Sequence, residues 1–430
     1  MGLNLNRTNL SVTNESKFCL KGQWRETMKM RRLVALMLFV ATTSCFATDP
    51  SARTWTDLSG KTLVATFVGI EAGQVSLQTG DAKLIQVPVT SLSAGDRKWV
   101  EQQSAAPAGT VASPGAAAPF ETPAALTEWP DRVALGEKAV AEVIREDAEK
   151  REFVYESEHY EFVSDSKLSA SLVREFSRIF EVTWLANCLF PLDLKPRPES
   201  GREKFLARIF TKKADYFEAG GLPGSAGVYI VSEKALMLPL DSLGVKTVGN
   251  RISIDYQSQD YRTLIHEITH QMMNHWIWRL PVWYTEGSAE YVELADYSAG
   301  RLNFSQQDRL LKDHLMQDTS VFRMLPIEKL MSMSHQQWQG ALASGDSSDN
   351  YQSALALTFF FYHHDGAGDG KNLIAWLKEL GTIRTYGAAD RASITENALK
   401  THLLRGRSYA ELQEEIEKAL RKEGIKVEFR

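Results

Sequence analysis

The chain has 430 residues, 43% hydrophobic and 24% charged, enough for about two or three globular domains with a substantial core. Its net charge of −5 argues against a nucleic-acid binder that works through phosphate contacts. There are three cysteines; once the front of the chain with Cys19 and Cys45 is removed, Cys188 has no partner, which excludes a disulfide-stapled scaffold and a cysteine metal site.

Residues 1–47 read as an export segment. Lys29, Arg31 and Arg32 form a positive region, Leu33 to Ala41 an apolar run, and Cys45-Phe46-Ala47 ends in small residues that a signal peptidase reads. Cleavage is expected after Ala47. The apolar run is too short for a spanning helix, so the mature chain is not expected to span a membrane. A start at Met28 or Met30 gives a more usual signal length, which makes residues 1–27 a candidate misassigned start. The expected location is periplasmic, cell-surface or extracellular. Thr42-Thr43-Ser44-Cys45 lacks the usual leucine of a lipoprotein box.

Residues 51–103 alternate in a β-rich way. Thr62–Gly69, Gln74–Gln78 and Lys83–Val89 are strand patterns, with Gly60, Gly73 and Gly80-Asp81 as turns. Arg53-Thr54-Trp55 begins the sheet, and Ser91–Trp99 turns into a short helix. The Arg-Thr-Trp start, Phe67-Val68-Gly69 and Val87–Asp96 together resemble the SLA1 homology domain 1 type, an SH3-like small barrel. That resemblance implies a module that binds a protein or surface ligand, or one that positions its neighbour. Residues 104–125, rich in Ala, Pro, Gly and Ser, read as a flexible linker.

Residues 126–430 form the candidate catalytic domain. Residues 131–152 are charged and helix-prone. Phe153–Val163 carries one or two strands with His159 among them, read in preference as a satisfied strand histidine. Residues 167–189 make an amphipathic helix with Leu172, Phe176, Ile179, Phe180 and Trp184 inward, and Cys188 as a small buried hydrophobe. Lys204–Phe210 is a strand and Ala214–Phe217 a short helix. The glycines from Gly220 to Gly227 lead into the strand Val228–Val231. They make either a cleft edge to which an extended peptide adds or a plain hairpin turn. Leu236–Leu240 is a further strand.

His266-Glu267-Ile268-Thr269-His270 is an H-E-x-x-H pattern. Its two histidines lie one helical turn apart on one face and can reach one zinc ion, with the glutamate between them placed to activate a water there. Ser258 and Asp260 offer N-cap oxygens, and Ile265, Ile268, Met272 and Trp276 supply an apolar stripe. Pro281 ends or bends this helix. A second helix then carries Glu286, Glu290 and Glu293 on one face, and spacing alone leaves the third ligand open between Glu286 and Glu290. Gly287 and Ala289 are small, so this helix can approach the first closely.

H-E-x-x-H followed by Trp283-Tyr284-Thr285-Glu286-Gly287-Ser288-Ala289-Glu290-Tyr291 resembles the gluzincin metallopeptidases, in particular the peptidase MA-like, DUF1570-type group. The resemblance implies His266, His270 and Glu286 as ligands of one Zn²⁺. It also implies Glu267 as general base and Glu290 as the residue that buttresses a zinc histidine. Further on, Ser344–Asn350 reads as a loop and Tyr351–Tyr362 as an apolar helix packed on the metal helices. Tyr351 is the candidate oxyanion donor, with His363 and His364 as alternatives that more readily cap carbonyls and face solvent. Residues 408–423 form a capped amphipathic helix.

The expected fold class is α+β: a zincin-like catalytic domain, with a mixed sheet and active-site helices, preceded by a small SH3-like β-barrel. The strands of residues 153–240 are expected on one side and the helices of residues 260–430 on the other. The expected activity is an exported zinc-dependent peptidase acting on a peptide or protein. The rivals are a non-catalytic zinc-containing surface or periplasmic binding protein and a zinc amidase acting on cell-wall material.

Overall fold

The structure is a computed structural model. It describes residues 52–57, 61–71, 74–79, 84–93 and 95–97, then 120–430 apart from 137–140, 200, 222–226, 231–232, 241–244, 249–250, 255–260, 318, 345–346 and 385–389. The expected export segment, the turns at Gly60, Gly73 and Gly80-Asp81, Gly224–Ala226 and the caps Ser258 and Asp260 lie outside the described residues. The described residues fall into two compact units, one within residues 39–119 and one over 120–430.

In the first unit, β1 (Ala52–Thr56), β2 (Thr62–Glu71), β3 (Gln74–Thr79) and β4 (Leu84–Pro88) form an antiparallel sheet in that order. The expected barrel does not close among the described residues, since β1 and β4 are not paired. Pro88 has no N–H with which to prolong a ladder, and the chain turns away through Val89–Ser91. The single Asp57–Leu92 bridge then brings it back beside β1. Trp55 is the centre of a small core with Ala65, Val75, Leu77 and Leu92, and its indole N–H donates to the Ala65 carbonyl at 2.9 Å. Asp96 ties the ends together: it accepts from Arg53 Nη2 at 2.5 Å, from the Thr56 N–H at 2.8 Å and from Ser93 Oγ at 2.9 Å. The two sequence signatures of the module therefore meet in space.

The second unit starts at Phe120, earlier than the expected linker end at 125. Phe120 is the one large apolar residue of that stretch. It packs edge-on against His159, Trp184 and Phe205, burying area that the surrounding alanines and prolines cannot supply. Next come β5 (Arg132–Ala134), β6 (Glu142–Asp147), β7 (Glu152–Glu156) and β8 (Tyr160–Ser164). Here the helix expected over 131–152 is overturned. β6 pairs antiparallel with β7, and its cross-strand hydrogen bonds outweigh the weak helical preference of a charged stretch.

α1 (Ala170–Leu189) follows, with Ser169 Oγ capping the Leu172 N–H at 3.3 Å. Then come β9 (Phe205–Phe210), α2 (Lys213–Glu218), β10 (Val228–Ile230), β11 (Ala235–Pro239) and the hairpin β12 (Val245–Val248) with β13 (Arg251–Ile254). The main sheet has six strands in the order β10-β11-β9-β8-β7-β6. β9 is parallel to both its neighbours and the other pairs are antiparallel. Its central strands are apolar almost throughout because both faces are covered, while the edge strand β6 is exposed.

The remaining elements are α3 (Tyr261–Met272), α4 (Val282–Glu293), β14 (Asp296–Tyr297), β15 (Arg301–Asn303), α5 (Gln307–Leu315), β16 (Phe322–Met324), α6 (Ile327–Ser332), α7 (His335–Ser344), α8 (Ser347–His363), α9 (Lys371–Leu380), α10 (Arg391–Ala398), α11 (Tyr409–Lys422) and β17 (Val427–Phe429). α3 ends before Pro281, and hydrogen-bonded turns span Met273–Leu280. Pro281 caps α4 instead of bending α3; its fixed φ suits a helix start. Helix α8 begins at Ser347, inside the loop expected over 344–350 and one turn before the helix start expected at Tyr351. The architecture is mixed α+β. No helix among the described residues is long and apolar enough to cross a membrane.

Gly287 serves a different neighbour from the expected one. A Cβ there would stand 2.2 Å from Thr358 Oγ1 and 2.3 Å from the Ala354 carbonyl oxygen, so the missing side chain admits α8, not α3.

Candidate metal centre

Helix α3 is buried along His266–Met272 and α4 along Val282–Val292, so the acids and histidines of the motif are carried inside the protein. His266, Glu267, Glu286 and Glu290 are all nearly inaccessible. Such a group of carboxylates is costly to bury without a compensating cation.

Three ligand atoms converge. His266 Nε2 and His270 Nε2 lie 3.0 Å apart, and Glu286 Oε2 is 3.4 Å from each. Ligand atoms about 2.0–2.1 Å from a tetrahedral zinc stand about 3.3–3.4 Å from one another, which is nearly this triangle. Glu286 Oε2 and Glu267 Oε1 are buried with no hydrogen-bond partner among the described residues, the state expected of atoms facing a cation or a reacting group. The donor set, two imidazoles and one carboxylate, suits zinc.

The charges agree. Burial would push His266 down, but Glu286, Glu293 and Glu290 outweigh it and hold its pKa well above the usual histidine range. Burial would push Glu286 up, yet His270 and His266 hold it down to about 2. The Glu267 carboxyl is pushed up to about 7 by burial, only partly opposed by the two histidines. A carboxylate near 7 suits a group that takes and returns a proton at neutral pH.

His266 Nδ1 is 3.0 Å from Glu293 Oε2 and 3.8 Å from Glu290 Oε1. Glu293 is the residue that bonds this histidine, in place of the expected Glu290. Residues seven apart on a helix lie within about 20° of one line, whereas four apart are about 40° round, so Glu293 follows Glu286 along the face that looks at His266. Glu293 is itself ionised: burial opposes this, but His266, His314 and Arg262 lower its pKa. An ionised Glu293 accepts the Nδ1–H, so the Nε2 proton is the one that a metal in the triangle would displace. Glu293→Gln should therefore weaken zinc binding by about 10- to 100-fold in a chelator competition, and Glu290→Gln clearly less. Equal losses would return the role to Glu290.

Tyr351 is buried beside this group, its ring 6.2 Å from that of His266. Its hydroxyl has no partner in hydrogen-bonding geometry, although Trp338 meets the ring edge-on at 5.3 Å. Burial, Glu286 and Glu290 push it well above the usual tyrosine range, so it stays a proton donor. The alternatives at His363 and His364 stand about three turns further along α8. His363 is half-buried: its Nε2 pairs with the Tyr291 hydroxyl at 2.9 Å, packed among aromatic rings.

Of two further neighbours, His335 escaped sequence reasoning because no local pattern marks it, and Gly227 lies in the glycine run read as either a cleft edge or a hairpin turn. His335, at the start of α7, is close enough to feel the charge of Glu286, though loss of hydration still lowers its pKa. At Gly227, where the chain enters the edge strand β10, a Cβ would stand 3.3 Å from Glu267 Cγ and 2.7 Å from Leu238 Cδ2. Glycine lets that strand pass close to the carboxylate.

Comparison with known proteins identifies the first unit alone. Residues 46–107 match the family model of SLA1 homology domain 1, SHD1. No curated protein and no solved structure matches the chain. The SHD1 module contains the Arg53–Asp96 tie and the Trp55 core described above, and it carries none of the residues that converge at the metal centre.

Proposed function

We propose that residues 126–430 are a zincin-like, gluzincin-type domain that hydrolyses peptide bonds with one zinc ion held by His266, His270 and Glu286. The near-equilateral triangle of their three ligand atoms, beside a buried carboxylate without a partner, carries this reading. Zinc, when bound, polarises the carbonyl and makes water acidic at neutral pH. Glu267 takes a proton from the attacking water as its oxygen bonds to the carbonyl carbon. It then passes that proton to the departing amine nitrogen as the C–N bond breaks. The Tyr351 hydroxyl donates to the carbonyl oxygen as negative charge builds there. Glu293 holds His266 in the Nδ1–H tautomer. β10, at the sheet edge among the described residues, passes next to Glu267 and would offer backbone groups to an extended peptide.

In this reading residues 1–47 direct export, and the SHD1 module contacts another protein or a surface. Metal analysis and a protein-substrate cleavage assay on one preparation test the activity. Wild type should carry one zinc per chain and cleave, and Glu286→Gln should lose both. Wild type that takes up no zinc would sink the scheme. Zinc without cleavage would leave a binding protein or a wall amidase.

A further inference from the structure

His159 plays no part at the metal centre, yet it is held on every side. It sits at the turn between β7 and β8, over a cavity of about 420 Å³ whose lining includes no residue of α3 or α4. Its Nδ1 lies 2.6 Å from Glu181 Oε2. The other Glu181 oxygen accepts from Ser157 Oγ at 2.6 Å and from the His159 N–H at 2.9 Å. A carboxylate that accepts all of these bonds keeps a proton on Nδ1, and in the neutral ring Nε2 is then an acceptor. The imidazole is stacked on Trp184 at 3.5 Å and met edge-on by Phe120.

The rest of the lining has a definite chemistry. Glu121 and Glu158 are exposed at the cavity, and neither carboxylate makes an ion pair among the described residues. Pro123, Leu135 and Leu185 form apolar walls. Trp184 is 4% exposed, and its indole N–H has no acceptor among the described residues. The cavity thus has an excess of negative charge and acceptors and one unused donor. Such a lining draws in a cation.

We propose that this cavity binds an organic cation: the guanidinium or ammonium head of a basic side chain, held by Glu121, Glu158 and His159 Nε2, with an adjoining carbonyl accepting from the Trp184 N–H. The site is independent of the metal centre. An exported chain that acts on or attaches to basic peptides would use it to hold them away from the zinc.

Titration calorimetry on the full chain, with the blocked amides of arginine, lysine and citrulline, tests it. Citrulline keeps the shape of arginine without its charge. Either basic amide should bind saturably with a Kd of about 1 mM or tighter, and the citrulline amide at least about tenfold more weakly. Glu158→Gln, an exposed substitution that leaves the fold alone, should weaken the basic amides about five- to tenfold and leave citrulline unchanged. Trp184→Phe should weaken all three alike through the lost carbonyl contact. The proposal is overturned if citrulline binds as tightly as arginine, if Glu158→Gln has no effect on the basic amides, or if neither basic amide binds saturably.

Discussion

Glu267→Gln should keep its zinc and lose about a hundred- to ten-thousandfold in the rate of peptide cleavage, the usual worth of a positioned general base. The substitution preserves volume, and Glu267 is not among the three converging ligand atoms, so metal content should match wild type. The fold should not suffer. Burial raises the Glu267 carboxyl to about 7, so in the metal-free protein its ionised form costs stability at every pH above its unfolded value. A neutral glutamine removes that cost. Metal-free Glu267→Gln should therefore melt at or above the wild-type temperature at pH 8, while cleavage falls at unchanged zinc content. If cleavage survives with zinc bound, Glu267 is not the base. If zinc is lost as well, the two functions of the motif cannot be separated this way and the ligand set needs another member.

The second large effect is structural. Gly287→Ala places a methyl group 2.2 Å from Thr358 Oγ1 and 2.3 Å from the Ala354 carbonyl oxygen. A hydroxyl can rotate away; the backbone of α8 cannot. The helices must part, and overpacking of this kind costs about 1–3 kcal/mol or more. The neighbouring residue in α4 is Glu286, so the displacement is passed straight to a proposed zinc ligand. We expect a melting temperature lower by roughly 5 °C and a zinc affinity that falls with it. Gly340→Ala is the control. It lies in α7, where an added Cβ would meet nothing within 4 Å, and it should stabilise by about 0.5–1 kcal/mol through helix propensity alone. If Gly287→Ala melted like wild type, α4 and α8 would not be packed as closely as the structure has them.

Much of the centre was legible because it depends on local spacing. Four residues make one helical turn, so His266 and His270 had to share a face, and a following helix with acids at 286, 290 and 293 had to offer one acidic stripe. Strands β7, β8, β9 and β11 and helices α1 and α11 announced themselves by period, and α11 by its cap as well, which the structure shows as a Ser408–Glu411 capping box. The SHD1 signatures were readable for the same reason, as each is a short run. What failed was the helix expected over 131–152, where propensity stood against a strand pairing whose partner lies outside any local window.

The sequence by itself therefore determined which residues could meet a metal, because helical periodicity fixes the direction of side chains within one element. Tertiary structure decided which of them come together. That Glu293, not Glu290, bonds His266 depends on the angle at which α4 docks on α3. That Gly287 serves α8 depends on a helix sixty residues further on, and that His159 is clamped by Glu181 depends on α1 crossing the sheet. These choices rest on contacts between elements far apart in the chain, and distances across such contacts leave no trace in the spacing of residues along it.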